Sequence, residues 1–325
     1  MLEKKLKNIL TVKSSEILPT RNGYGDALVE LGKTNPKVVV LTADLTESTR
    51  VDKFAKLFPD RFIQCGVAEQ NMMSVAAGLA HEGFIPFVSS YAVFNPGRNW
   101  DQLRTNVCYN NTNVKIVGAH TGVSVGPDGA THQALEDIAI TRVLPNLVVI
   151  APLDYHETYK ATIAAAKYSG PVYFRFAREK TPIITTQKSI FQIGKANILK
   201  TGKDISLIGC GPILINGLLA AYELEKQGIS VEVINSHTIK PLDKKTILKS
   251  VQKTKKVITL EEHQITGGLG GAVCELLSEK YPVPIIRIGM PDTFGESGQP
   301  NELISKYGLD VKTITSAITS FLKQN

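Results

Sequence analysis

Short runs of β-branched residues alternate with stretches of helical periodicity along most of this chain, and that alternation constrains the fold more than any other feature. Strands are expected over 38–43, 62–65, 85–90, 114–119, 147–151 and 172–176, with helical patterns over 25–31, 71–80, 100–107, 135–143 and 155–168 between them. Strands apolar on both faces and separated by helices pair in parallel, because a parallel return needs a long crossover. A second, shorter set follows, with strands over 205–208, 231–234, 257–260 and 285–288 and helices over 214–227, 269–277 and 311–322. Between the sets, Glu179-Lys-Thr-Pro-Ile-Ile-Thr-Thr-Gln-Lys188 is polar, carries a proline and has no period. The expectation is an α/β protein of two domains, each a mainly parallel sheet flanked by helices. Residues 1–178 form the first, 179–194 the linker and 195–325 the second.

Composition excludes several classes. At 325 residues, 43% hydrophobic and 21% charged, the chain can fill two ordinary cores. Its apolar runs are too short to span a membrane, and its start, Met-Leu-Glu-Lys-Lys-Leu-Lys, leads into no signal-type apolar core. Cys65, Cys108, Cys210 and Cys274 are far apart and read as reduced packing residues of a cytoplasmic protein. The net charge of +7 comes from scattered lysines without interleaved aromatics, which reads as solvated helix surface rather than a nucleic-acid footprint. Gly209-Cys-Gly211 and Gly267-Gly-Leu-Gly-Gly271 lack the third glycine of a dinucleotide fingerprint and read as tight turns.

Chemistry concentrates in two places. In Gly66-Val67-Ala68-Glu69-Gln70-Asn71 a single carboxylate starts a nearly continuous apolar helix. A buried carboxylate can exchange a proton with a ring nitrogen, while an acidic residue in a first turn also fits a helix-dipole role. The loop His120-Thr-Gly-Val-Ser-Val-Gly-Pro-Asp128-Gly-Ala-Thr-His132-Gln133 brings two imidazoles and a carboxylate to the end of a strand, where α/β proteins place ligands. That trio could ligate a metal, bind the hydroxyls of a polyol, or cap strands. Tyr91 and Phe94 could stack on a flat heterocycle or pack in the core.

Taken in order, these motifs resemble the transketolase family. Residues 20–153 are similar to its pyrimidine-binding domain and 205–325 to its C-terminal domain. The matching pieces are Thr20-Arg21, Ala43-Asp44-Leu45-Thr-Glu-Ser48, Gly66-Val-Ala-Glu69, Tyr91-Ala-Val-Phe94, the His120 to Gln133 loop, Arg178, Asp292-Thr-Phe-Gly-Glu-Ser-Gly298 and Lys306-Tyr-Gly-Leu309. The resemblance implies that Glu69 bonds the N1′ atom of the thiamine diphosphate aminopyrimidine, that Phe94 stacks on that ring with Tyr91 nearby, and that Asp44 lies beside the cofactor. It implies that His120, Asp128 and His132 bind the sugar and relay protons, and that Arg21, Ser48 and Arg178 hold a substrate phosphate. Two departures stand out. Thr46-Glu47-Ser48 replaces a small/proline-serine step, and Phe94-Asn-Pro-Gly-Arg-Asn-Trp100 reads as carrying one extra residue.

The family holds the diphosphate and its Mg²⁺ on a separate domain carrying Gly-Asp-Gly and a later Asn, and no such motif occurs here. The resemblance therefore implies the C-terminal section of a split transketolase, with no metal ligand of its own and inactive without a diphosphate-domain subunit. The helix over 71–80 is apolar nearly all round and rich in small residues, so an α₂β₂ assembly with self-association through it is expected. Pentose-phosphate intermediates are the default substrates. The rivals are the β subunit of a thiamine-dependent 2-oxoacid dehydrogenase, a 1-deoxyxylulose-5-phosphate synthase, and a non-catalytic scaffold of the same fold.

Overall fold

The computed structural model describes residues 6–13 and 16–324. The first half builds β1 (Ile17–Pro19), α1 (Thr20–Thr34), β2 (Val38–Thr42), α2 (Asp52–Leu57), β3 (Phe62–Gln64), α3 (Glu69–His81), β4 (Ile85–Tyr91), α4 (Trp100–Gln102), β5 (Lys115–Ala119), α5 (Asp137–Arg142), β6 (Val148–Ile150), α6 (Tyr155–Lys167) and β7 (Val172–Phe176). A π-helical segment, Leu103–Tyr109, continues α4. The second half adds β8 (Lys180–Pro182), β9 (Asn197–Lys200), β10 (Ile205–Gly209), α7 (Leu214–Glu225), β11 (Val231–Asn235), β12 (Thr238–Lys240), α8 (Lys244–Thr254), β13 (Val257–Gln264), α9 (Leu269–Lys280), β14 (Ile285–Met290), α10 (Pro300–Lys306) and α11 (Val311–Lys323).

The two large sheets are mainly parallel. The first runs β12-β6-β7-β5-β4-β2-β3 and the second β14-β13-β10-β11-β9, with only β12 and β9 antiparallel. Alternation along β2 shows how the sequence covers both faces. Val38 and Val40 pack with Leu28 of α1, Phe54 of α2 and Ala161 of α6, whereas Val39 and Leu41 pack with Met72, Met73 and Ala76 of α3. The α3 side merges into the face of the second sheet formed by Ile208, Ile234 and Val257, so one apolar layer joins the two halves.

Three features depart from the sequence reading. Residues 179–188 are not a free connector: β8 pairs with β1, and the buried Asp154 accepts hydrogen bonds from the backbones of Ile184 and Thr185 and from the Thr185 hydroxyl. The strand β12, which lies beyond the expected boundary, crosses back to cover the edge of the first sheet beside β6. Finally, α3 is buried on one side only. Met72, Met73, Ala76 and Ala77 are buried, while Gln70, Asn71 and Gly78 are exposed. The lysines of α8 do form an exposed face, opposite buried Ile247 and Val251. The parallel strands β2, β4, β5 and β7 all end on the same edge, and the chemistry collects there.

Candidate functional site

Glu69 opens α3 and is 2% exposed, because Met72, Met73, Ala76 and Ala77 fasten the helix to the sheet beneath it. Ala68 offers no side-chain cap, so the helix end is held from elsewhere: Asn99 Nδ2 donates to the Glu69 carbonyl oxygen at 3.1 Å. The carboxylate is paired. Arg98 Nη1 donates to Glu69 Oε2 at 2.9 Å, and the same guanidinium lies 4.5 Å from the centre of the Phe94 ring. Phe94 and Glu69 thus share one flat group, the Arg98 guanidinium, which lies over the ring and donates an N–H to the carboxylate.

Sequence reasoning passed over Arg98. The available signal was physical: a carboxylate at the head of a buried helix needs a partner, and Arg98 follows the stacking aromatic by four residues. The stretch from Phe94 to Trp100 is held as a fixed turn. Asn95 Nδ2 donates to the carbonyls of Val88 and Val117, and its Oδ1 accepts from Asn99 Nδ2. Gly97 is required there, since a Cβ would collide with the Val93 carbonyl.

From Phe94 the site runs through aromatic contacts to both imidazoles. Phe94 and Tyr91 stack at 6.3 Å, His132 sits edge-on to each at 5.6 and 5.8 Å, and Tyr91 lies 4.5 Å from the His120 ring. His120, immediately after β5, is 1% exposed and has φ of 23°. Its Nε2 lies 2.7 Å from Arg21 Nη1, which also donates to the Ser48 carbonyl at 2.8 Å. Burial, reinforced by Arg21 and Arg178, pushes its pKa down to about 3. Its Nδ1 is buried without a protein partner. His132 is less enclosed, and its Nδ1 pairs with the Thr131 hydroxyl at 3.0 Å.

Arg178, just beyond β7, donates to Asp128 Oδ1 at 3.1 Å and to the Val125 carbonyl at 2.9 Å. Arg21 feels the charges of Arg50 and Arg178, so three guanidinium groups share this end of the cleft. Phe94, Tyr91, His120, His132, Arg21 and Ser48 are linked by direct contacts, Glu69 joins them through Arg98, and Arg178 with Asp128 adjoins them. Asp44 stands apart: it is exposed, has φ of 60°, and its backbone N–H donates to Gln64 Oε1. Among the described residues no cluster of three His, Cys, Asp or Glu side chains is placed to hold a metal ion.

The second half of the chain shapes this loop, which sequence reading did not anticipate. Glu262 of β13 accepts a hydrogen bond from the Ser124 backbone, and it fills the space that a Cβ on Gly122 would need. Gln133 Nε2 donates to the carbonyls of Val123, Gly126 and Glu296. Arg175 binds Asp137 through Nε, and its Nη2 donates to the carbonyls of Ala134 and Glu262. Elsewhere Glu261 accepts from the backbones of Leu269 and Gly270, closing the start of α9 at the second glycine cluster.

The family model described as transketolase, pyrimidine binding domain, matches residues 17–183, and that of the transketolase C-terminal domain matches residues 194–314. A putative transketolase C-terminal section from Methanocaldococcus jannaschii is 47% identical over 94% of this chain and 96% of its own length. A 6-deoxy-6-sulfo-D-fructose transketolase subunit from a Clostridium species is 40% identical over 91% of this chain and 92% of its own. Among solved structures, a split gene transketolase described as an inactive β₄ tetramer superposes with a TM-score of 0.88 at 45% identity, covering 94% of this chain and 98% of that one. No helix among the described residues is long and apolar enough to cross a membrane.

Proposed function

The chain belongs to the transketolase family, and from that premise we propose that it is the pyrimidine-domain subunit of a split transketolase. The reaction is transfer of a two-carbon ketol unit from a ketose phosphate to an aldose phosphate with thiamine diphosphate. The observation that carries this reading is continuity. A pocket that takes a flat N–H donor between Phe94 and Glu69 adjoins His132 and Tyr91, and through Tyr91 it reaches a neutral His120 next to three arginines.

Bound thiamine diphosphate supplies a nucleophilic carbon on which the ketol unit is carried between the two sugars. The chain's own residues bind and orient. Glu69 accepts the N–H at N1′ of the aminopyrimidine and so holds a proton at that atom, while Phe94 stacks on the ring. His120, whose Nε2 is engaged by Arg21, presents an N–H at Nδ1 to a sugar oxygen. His132 and Asp128 bind the remaining hydroxyls, with His132 the group that moves a proton. Arg21 and Arg178 hold the terminal phosphate beside Ser48, because a planar donor fork matches its oxygens. Asp44 lines the approach to the cofactor.

A diphosphate-domain subunit must complete the site, since it brings the groups that hold the diphosphate and Mg²⁺. A structural relative described as an inactive tetramer of β chains fits that dependence. Self-association through the exposed side of α3, around Asn71 and Gly78, would build an α₂β₂ enzyme. The relatives are transketolases, which weighs against a 2-oxoacid dehydrogenase β subunit, and the described sulfofructose enzyme leaves the choice of sugar open.

Ketol transfer from xylulose 5-phosphate to ribose 5-phosphate, assayed with thiamine diphosphate and Mg²⁺, tests the reading. Activity is expected only when a diphosphate-domain subunit is added. Activity from this chain alone would refute the dependence, and silence of a well-formed complex with several ketose phosphates would refute the transferase itself.

A further inference from the structure

We propose that Arg98 is a resident occupant of the ring pocket, whose guanidinium fills the place of the aminopyrimidine until the cofactor displaces it. This rests on the assignment of Glu69 and Phe94 as the seat of that ring.

Shape and bonding are matched on both sides. The guanidinium is planar, lies 4.5 Å from the centre of the Phe94 ring, and donates to Glu69 Oε2 at 2.9 Å. An aminopyrimidine held by the same two residues would stack on the same ring and, protonated at N1′, donate to the same carboxylate. A ring bound to the same oxygen and the same face would take the place of the guanidinium.

Burial explains why a substitute is useful. Glu69 is 2% exposed, and an enclosed carboxylate without a partner carries a large desolvation cost. Arg98 relieves it in the free subunit. The side chain of Arg98 is 47% exposed, so it can swing into solvent without unpacking the core. The movement is confined to that side chain. Asn95 and Asn99 pin the turn on either side through bonds to Val88, Val117 and Glu69, and Gly97 is packed against Val93. Ring binding and Arg98 release are therefore one exchange, and the free subunit keeps a closed, satisfied pocket.

The test titrates the free chain with 4-amino-5-hydroxymethyl-2-methylpyrimidine, the ring half of the cofactor, and follows binding by ligand-observed NMR. Arg98→Ala is expected to bind this probe about tenfold more tightly than the natural chain, because one half-exposed ion pair and one cation–π contact no longer compete. Arg98→Lys keeps the charge but not the flat fork, and should fall between the two. The free Arg98→Ala chain should also melt at a lower temperature and recover more on adding the probe. Equal or weaker probe binding by Arg98→Ala, or none at all, would overturn the proposal. Glu69→Gln separates the two ideas. Loss of probe binding in that variant with no gain in Arg98→Ala leaves the seat standing and removes the occupant. A gain in Arg98→Ala that is indifferent to Glu69→Gln places the seat elsewhere.

Discussion

Arg21 Nη1 lies 2.7 Å from His120 Nε2, and because a guanidinium can only donate, Nε2 must be the unprotonated nitrogen of the ring. The arginine therefore sets the tautomer, with the proton on Nδ1, the buried atom that has no partner in the protein. In that tautomer His120 is a neutral ring that offers an N–H at Nδ1. His120 is thus fixed by its arginine partner, while His132 is less confined.

Nitrogen NMR should show His120 as the neutral Nδ1–H tautomer from pH 5 to 9, since burial and the arginines hold its pKa at about 3. The unfolded ring takes a proton below about pH 6.5, so this group's contribution to stability is present above that value and lost as pH falls toward 3. Arg21→Ala should free Nε2, raise the pKa, and lower kcat/KM about 10- to 100-fold through the lost charged hydrogen bond to substrate. A ring that titrates near the ordinary imidazole value in the natural chain would remove Arg21 as the cause.

Glu69→Ala should lower ketol transfer by at least about 10²-fold while leaving the fold intact. Arg98, left without its partner, is half in solvent and can be hydrated. Circular dichroism and melting of the variant check the fold, and deuterium exchange at C2 of the bound cofactor in the assembled enzyme checks the chemistry. Undiminished exchange would show that Glu69 does not hold the proton at N1′.

Arg175→Met should destabilise the chain by about 3–5 kcal/mol, because it strands a buried carboxylate. Asp137 is 1% exposed, and the carbonyls of Ala134 and Glu262 lose the same donor. Adding Asp137→Leu should restore part of the loss, since the uncompensated charge is then gone. Urea unfolding of the single and double variants measures both, and an additive double variant would argue against a coupled pair.

Burial, with Asp154 nearby, pushes the Glu157 carboxyl up to about 7, although Asn235 and the Leu153 backbone donate to it. A folded-state value above the unfolded one stabilises the protein at acid pH. That contribution is lost as pH rises from about 4.5 through 7. Glu157→Gln should thus shrink the drop in melting temperature between pH 5.5 and 8.5. An unchanged drop would mean that Glu157 is not its source.

The alternation of β-branched runs with helical periods already specified two parallel sheets, because side-chain period and crossover length are local properties of the chain. Val172–Phe176 was legible to the residue, being buried on both faces. The short strands β8 and β12 were not, since three residues carry no period and pair only when another edge is presented to them. Likewise the candidate site residues could be named from motifs, whereas for Arg98 the sequence offered only that a buried carboxylate needs a partner; its placement over Phe94 and against Glu69 appears in the fold.

By itself, then, the sequence determined the layered α/β architecture, the apolar helix that carries Glu69, and the loop holding His120, Asp128 and His132. Tertiary structure alone decided which nitrogen of His120 bears the proton, which cation answers Glu69, and that Glu262 supports the loop from the second domain. The physical reason is the range of the forces. Periodicity and turn chemistry act over a few residues, but tautomers, buried charges and their partners are fixed by groups brought together from distant parts of the chain, 99 residues apart for Arg21 and His120 and 138 for Ser124 and Glu262.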